Sequence, residues 1–173
     1  MKEYDGKVRV ILKHMVVHPD SVAKAHLAAC AAAKQGKFVP FYKAFWEKGF
    51  KPYAESRGQN QEGMTEEGML KWVPELGIDP AKLKADLNSP ECNKVVQDDM
   101  AELSKFRVSG TPAFFINGQF IGGGIPKESF KQIIDAKLKE VAASGVAPNE
   151  YYDKVIMVKG EKKFRSKKDP KPQ

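Results

Sequence analysis

The two cysteines of this 173-residue chain are the residues best suited to nucleophilic or redox chemistry, because a thiolate attacks disulfides and binds metals. Cys30 falls on the alanine-rich face of a predicted helix, where we expect a buried, inert thiol. Cys92 falls in the first turn of another predicted helix, whose dipole lowers a thiol pKa, although the neighbouring Glu91 opposes that effect. No Cys-x-x-Cys pair occurs, so we assign no catalytic residue and keep Cys92 as a weak candidate. A Cys30–Cys92 disulfide stays open, because the sequence does not give the distance between them.

The three histidines, His14, His18 and His26, are the next candidates, as ligands of a metal ion. A strand spacing would put His14 and His18 on one face. A metal site would also need further ligands, and no carboxylate cluster with ligand spacing accompanies the histidines. We therefore expect no metal site and no cofactor.

The segment from Val108 to Gly118 carries the strongest turn and strand signals in the chain. Pro112 opens a predicted strand, which is one of the few places where a sheet tolerates proline. We expect a cis bond between Thr111 and Pro112, which would leave the backbone of Thr111 free to pair with an extended peptide. The dipeptide Asn117-Gly118 then predicts the turn of a β-hairpin that joins residues 113–117 to 119–122.

The rest of the sequence orders strands and helices as an α/β protein does. The β-branched stretch Val8–Val17 predicts a strand. Predicted helices begin near Asp20 or Ser21, Phe38, Thr65, Pro80, Pro90 and Pro126. Pro74 predicts a kink or an early end in the helix that starts at Thr65. Residues 151–158 fit either a short helix or a strand.

An aromatic face on the second predicted helix is expected to lie in the core, between the helical region and the sheet. Its members are Phe38, Phe41, Phe45 and Trp46. The net charge of +7 is concentrated elsewhere, because residues 159–173 hold seven basic and two acidic residues. Such a Pro- and Lys-rich end is typical of a solvated, mobile tail. Without an aromatic stacking platform we expect no nucleic-acid partner, and a weaker alternative makes the tail an anchor for acidic partners. No apolar run approaches the roughly 18 residues that span a membrane.

An ordered set of motifs resembles the DsbA-like thiol-disulfide oxidoreductases, which are thioredoxin folds with an inserted helical domain. The set comprises the strand at Val8, His18-Pro19, the alanine-rich helix, Gln35–Phe38, Leu76–Asp79, Val108–Pro112, Phe114–Gly118 and the terminal helix. The resemblance covers roughly Lys7 to Val141. It implies a thioredoxin-like part at 1–18 and 106–145, a helical insertion at 19–105 and a C-terminal extension at 146–173.

The resemblance also implies a substrate site. In such folds the residues that match Gly110, Thr111 and Pro112 hold an extended peptide or a thiol/disulfide protein substrate. The strand that precedes the one at Val8, and the Cys-x-x-Cys that follows it, have no match here, so we expect a chain N-terminally truncated relative to the family. That strand lies centrally, and without it two apolar strands would keep unpaired backbone groups. The two strands could pair directly, a strand-donating partner or a swapped second copy could fill the gap, or the chain could be a piece of a longer protein.

The function implied is that of a protein-disulfide oxidoreductase domain, inactive as this chain alone because the redox pair is absent. The alternative is a non-catalytic thioredoxin-fold module that binds extended peptides or a partner through the Thr111-Pro112 loop. The polar N-terminus does not read as a signal peptide. We expect a periplasmic or extracytoplasmic location if the chain belongs to a longer precursor, and a cytoplasmic one if it is complete. Substrate, redox direction and oligomeric state stay open.

Overall fold

Helices, one small sheet and irregular segments make up residues 2–166, the part of the chain that the computed structural model describes. The α-helices are α1 (Pro19–Lys34), α2 (Phe38–Ala44), α3 (Lys51–Glu55), α4 (Glu66–Trp72), α5 (Pro80–Leu87), α6 (Pro90–Lys105), α7 (Lys127–Ala143) and α8 (Met157–Lys159). Strands β1 (Ala113–Ile116) and β2 (Gln119–Gly122) pair antiparallel. Short 3-10 helices cover Lys2–Tyr4, Glu62–Met64 and Val73–Leu76, and π-helical turns cover Phe45–Phe50 and Tyr152–Ile156. Met1 and residues 167–173, the end of the predicted mobile tail, lie outside the described residues.

The chain divides into two compact units, Met1–Ala101 and Glu102–Gln173. The first holds helices α1 to α5 and most of α6, and the second holds the hairpin, α7 and α8. Between residues 2 and 166, no helix is both long and apolar enough to cross a membrane. The predicted grouping of 1–18 with 106–145 around a helical insertion stays a prediction.

The core of the first unit is built on the alanine face of α1. Its buried alanines are Ala25, Ala28, Ala29, Ala31 and Ala32. Their short side chains let α1 pack closely against α5, which contributes the fully buried Leu83 and Leu87. Each such leucine stabilises the fold by about 1.5–3 kcal/mol relative to an exposed one.

The predicted starts of α4 and α5 are confirmed by their capping contacts, whereas α1 begins at Pro19 without a side-chain cap, so the prediction that Asp20 or Ser21 caps it is wrong. Thr65 Oγ1 accepts the Gly68 amide at 3.0 Å and begins α4. Asp79 Oδ1 accepts two amides of the first turn of α5, at 2.9 and 3.1 Å. The predicted break at Pro74 is also confirmed, because α4 ends at Trp72 and the chain tightens into a 3-10 helix.

The predicted strand Val8–Val17 is wrong for the described structure, in which these residues have no regular secondary structure. A strand needs a neighbour for its backbone groups, and the sheet within residues 2–166 contains only β1 and β2. Side chains of α6 take over part of that role. The His14 amide donates to Asp99 Oδ2 at 2.8 Å, and the Val16 amide donates to Met100 Sδ at 3.2 Å. Three consecutive apolar residues of this segment are left exposed: Val10, Ile11 and Leu12.

The aromatic face of α2 only partly enters the core. Phe41 is fully buried and its ring lies 5.3 Å from that of Trp72, while Phe38 and Phe45 pack at the core's edge. The expectation for Trp46 is wrong, because its side chain is 44% exposed. Trp46 stands instead in an outer row of aromatic rings that contact one another: Phe38, Tyr42, Trp46, Phe50 and Tyr53.

The predicted hairpin of the second unit is confirmed. Asn117 and Gly118 form its two-residue turn with φ values of 44° and 85°, a left-handed conformation that asparagine and glycine tolerate best. The predicted helix after Pro126 is present as α7, and Phe130 of α7 packs edge-on against Phe114 of β1, with 4.7 Å between ring centres. The segment left open at 151–158 is helical.

Candidate functional site

The Gly110-Thr111-Pro112 loop lies between the end of α6 and the start of β1, and all three residues are exposed. After α6 the left-handed Arg107 turns the chain, with a φ of 55°. On the other side of the loop, the Gly123 amide donates to the Pro112 carbonyl at 2.8 Å. The Thr111–Pro112 peptide bond is cis, which confirms the prediction.

The backbone of Thr111 has no hydrogen-bond partner within residues 2–166. The Gly123–Pro112 bond and the two-residue turn set the phase of the hairpin, so the backbone groups of Ile116, Phe114 and Pro112 point toward β2. Those of Thr111, Ala113 and Phe115 therefore point to the opposite edge, which no other strand of the described sheet occupies. The loop and β1 thus present one continuous edge of unpaired donors and acceptors.

Aromatic side chains border this free edge on one face of the hairpin. Phe115 and Phe120 are cross-strand partners with ring centres 5.1 Å apart, and Phe106 lies 5.5 Å from Phe115. Both Phe115 and Phe120 are exposed. The sequence reasoning missed Ala113 and Phe115 as edge residues, although the phase set by Asn117-Gly118 would have identified them.

The two cysteines form a disulfide with a Cα–Cα distance of 5.7 Å. The expectation of a free thiol at Cys30 is therefore wrong, although its burial is as expected. The bonded, fully buried Cys92 offers no thiolate, so the structure gives no support to its candidacy for redox chemistry. The bridge ties α1 to α6, and nearby Lys34 joins the same helices by an ion pair with Glu91 at 2.6 Å.

The structure brings together His14 and His26 but not His18, which precedes α1. The Nδ1 atoms of His14 and His26 lie 3.2 Å apart, so one imidazole donates and the other accepts. Burial, together with the smaller influence of the nearby His14, lowers the pKa of His26 to about 4. Burial also lowers the pKa of His14, against the opposing influence of Asp99. No group of three or more potential metal ligands occurs among the described residues.

Comparison with known proteins places these features in a family context. A family model described as thioredoxin matches residues 1–136. The chain is 30% identical over 112 residues to the probable disulfide bond formation protein D of Bacillus anthracis, and 28% identical over 112 residues to that of Bacillus cereus. It is 26% identical over 133 residues to the Na(+)/H(+) antiporter NhaA of Herminiimonas arsenicoxydans.

These matches cover the relatives only in part. The two Bacillus alignments include 64% of this chain and 51% of each relative, and the antiporter alignment includes 77% of this chain and 19% of the relative. The chain therefore spans about half the length of the disulfide bond formation proteins and about a fifth of the antiporter. No solved structure matches the chain.

Proposed function

Because the chain belongs to the thioredoxin family, in its DsbA-like group, we propose that it is the substrate-holding part of a protein-disulfide oxidoreductase. Gly110, Thr111 and Pro112 form the loop that aligns an extended peptide. The observation that carries this proposal is the unpaired backbone of Thr111 at the head of the free β1 edge. A peptide laid along that edge would gain main-chain hydrogen bonds in the manner of an added strand.

The site would select its ligands by conformation more than by sequence. Main-chain bonds to Thr111 and Ala113 require an extended segment but no particular side chain. The exposed rings of Phe115 and Phe120 add an apolar surface beside the edge. We therefore propose unfolded or locally extended polypeptides with apolar residues as the substrate class.

The sulfur chemistry would have to come from outside these residues. Disulfide exchange needs a thiolate that attacks one sulfur and expels the other as a new thiolate. The 173 residues contain two cysteines, 62 positions apart, and the structure buries both in a disulfide. We propose that this chain alone binds and orients the substrate but does not exchange its disulfides.

A non-catalytic peptide-binding module is the second candidate. The same free edge supports it, together with the lack of a Cys-x-x-Cys in the sequence. A strand-donating partner or a swapped second copy remains a proposal of the same kind, since β1 has one unpaired edge. The Cys30–Cys92 disulfide favours an extracytoplasmic location over a cytoplasmic one, because disulfides persist in oxidising compartments.

The edge is tested by Ala113→Pro, which removes the edge-facing amide while leaving the bonds between β1 and β2. The matched control is Ala113→Val, which keeps the amide. Binding of a fluorescein-labelled, unstructured apolar peptide is measured by anisotropy. We expect Ala113→Pro to weaken binding about tenfold, in keeping with the loss of a main-chain hydrogen bond and partial blocking of the edge, and Ala113→Val to bind like wild type.

The outcomes separate the alternatives. Equal affinity for all three proteins would show that peptides do not use this edge and would overturn the proposed site. Turnover is measured separately, as reactivation of a scrambled-disulfide protein in a glutathione buffer. We expect no rate above background for this chain, and turnover that disappears in Cys92→Ser would refute the proposed division of labour.

A further inference from the structure

The segment 151–166, called here the C-terminal segment, exposes apolar side chains among lysines. Its helical part turns Val155 and Ile156 partly inward, whereas Met157 and Val158 are 49% and 69% exposed. An exposed apolar patch rimmed by polar residues is the kind of surface that binds proteins or membranes. The segment therefore has one apolar side that packs and another that is free.

The C-terminal segment is held in place on its own unit. The Phe164 amide donates to the Lys105 carbonyl at 2.7 Å. The Arg107 guanidinium lies over the Phe164 ring, 4.8 Å from its centre. These two contacts fix the position of the residues that follow α8, so Met157 and Val158 are presented by an anchored element.

Basic residues flank the exposed Met157 and Val158 along the chain. Lys154 and Arg165 are neutralised by Glu150 and Glu161, each at 2.8 Å. Lys159 and Lys163 have no acidic partner in the part of the chain that the structure describes. The sequence adds three more lysines and one aspartate after residue 166. A partner that matches this surface must therefore combine negative charge with an apolar layer.

We propose that the C-terminal segment docks the protein on the surface of an anionic lipid bilayer. Met157 and Val158 enter the boundary between headgroups and acyl chains, and Lys159 and Lys163 contact anionic headgroups. A bilayer meets both requirements at once, whereas a nucleic acid would leave the aliphatic side chains in water. With two inserted side chains and a few lysines, binding is reversible and weakens with added salt.

The test is cosedimentation of the full chain with vesicles. Phosphatidylcholine vesicles that contain phosphatidylglycerol should bind the protein, and pure phosphatidylcholine vesicles should bind it far less. Lys159→Gln with Lys163→Gln should lower the partition coefficient about 25-fold, because each lysine near an anionic surface contributes about fivefold. Met157→Ser with Val158→Ser should lower it about tenfold through the lost apolar burial.

Matched controls lie on the first unit. Lys82→Gln with Lys84→Gln removes two exposed lysines of α5, and Val39→Ser removes an exposed aliphatic side chain. These variants should partition like wild type, and thermal unfolding checks that all variants are folded. If the α5 variant loses as much vesicle binding as the Lys159/Lys163 variant, or if the Met157/Val158 variant loses none, the protein does not dock through the C-terminal segment. No binding to anionic vesicles, or tighter binding to single-stranded DNA that ignores Met157 and Val158, would overturn the lipid partner.

Discussion

The two units of the chain differ sharply in how they bury apolar surface. In the first unit, Met69, Leu83, Leu87 and Cys92 are fully buried, and a disulfide joins two of the helices that surround them. In the second, α7 contains no buried residue, and the hairpin exposes three of its phenylalanines, Phe114, Phe115 and Phe120. A two-stranded hairpin is marginal by itself and depends on what packs against it.

This difference teaches how the chain separates stability from recognition. The first unit buries the apolar faces of its helices in an alanine–leucine core, and side-chain caps accept the free amides at two helix starts. The second keeps unpaired backbone groups at Thr111 and Ala113, together with exposed aromatic rings, where a ligand could satisfy them. The features that would weaken a core are the ones that make the β1 edge a candidate for peptide binding.

The largest expected effect comes from removing the disulfide, which would reduce the difference in stability between the first unit and the second. Cys30→Ala with Cys92→Ala should lower the free energy of unfolding by about 4 kcal/mol, because the bridge closes a long loop in the unfolded chain. Urea denaturation, followed by a probe in the first unit, measures it. Wild type in reducing agent is the control and should lose a similar amount. If oxidised wild type and the double variant are equally stable, the bridge does not account for a difference in stability between the two units.

The next effect compares the same substitution in the two units. Leu87→Ala should destabilise the first unit by about 3 kcal/mol, because it empties a fully buried site. Leu138→Ala in α7, at a half-buried site, should cost about 1 kcal/mol. Amide hydrogen exchange reports the loss unit by unit. Equal losses would mean that the α7 face is covered in solution, by a second copy or another partner.

The smallest effect is a pH dependence confined to the first unit. His26 binds a proton near pH 6.5 when unfolded but only near pH 4 when folded, because burial and the neighbouring His14 lower its pKa. The His14 ring also faces the Phe38 ring, and its amide bonds to Asp99, which pairs with Lys13. Between these two pH values the unfolded state binds more protons than the folded state. Stability is therefore lost as the pH falls from about 6.5 to about 4.

Allowing for partial solvent screening, the loss should be about 2 kcal/mol. His26→Gln should flatten this stability profile. Amide hydrogen exchange in the hairpin, corrected for the rate of a free peptide at each pH, should not change over the same pH range. A wild-type profile that is flat between pH 7 and pH 4 would contradict the assignment of neutral, buried imidazoles.

Much of this architecture could be predicted from the sequence, because local signals agreed with the final fold. Asn117-Gly118 specified the hairpin, Thr65 and Asp79 specified helix starts, and Pro74 specified an early end. The residue types around Pro112 predicted the cis bond, and the resemblance to the family implied the candidate loop at Gly110–Pro112. The β-branched stretch Val8–Val17 misled, because β-branched residues favour a strand but cannot supply the neighbour that a strand requires.

The sequence by itself determined several helix starts, the turn chemistry and the family, because caps, prolines, glycines and ordered motifs act over a few residues. Only the tertiary structure decided that Cys30 and Cys92 meet across 62 positions and that Asp99 holds the His14 amide. It also decided that no third strand of the described residues pairs with the outer edge of β1. Such pairings depend on how distant segments pack, and the spacing of residues along the chain carries no measure of that distance.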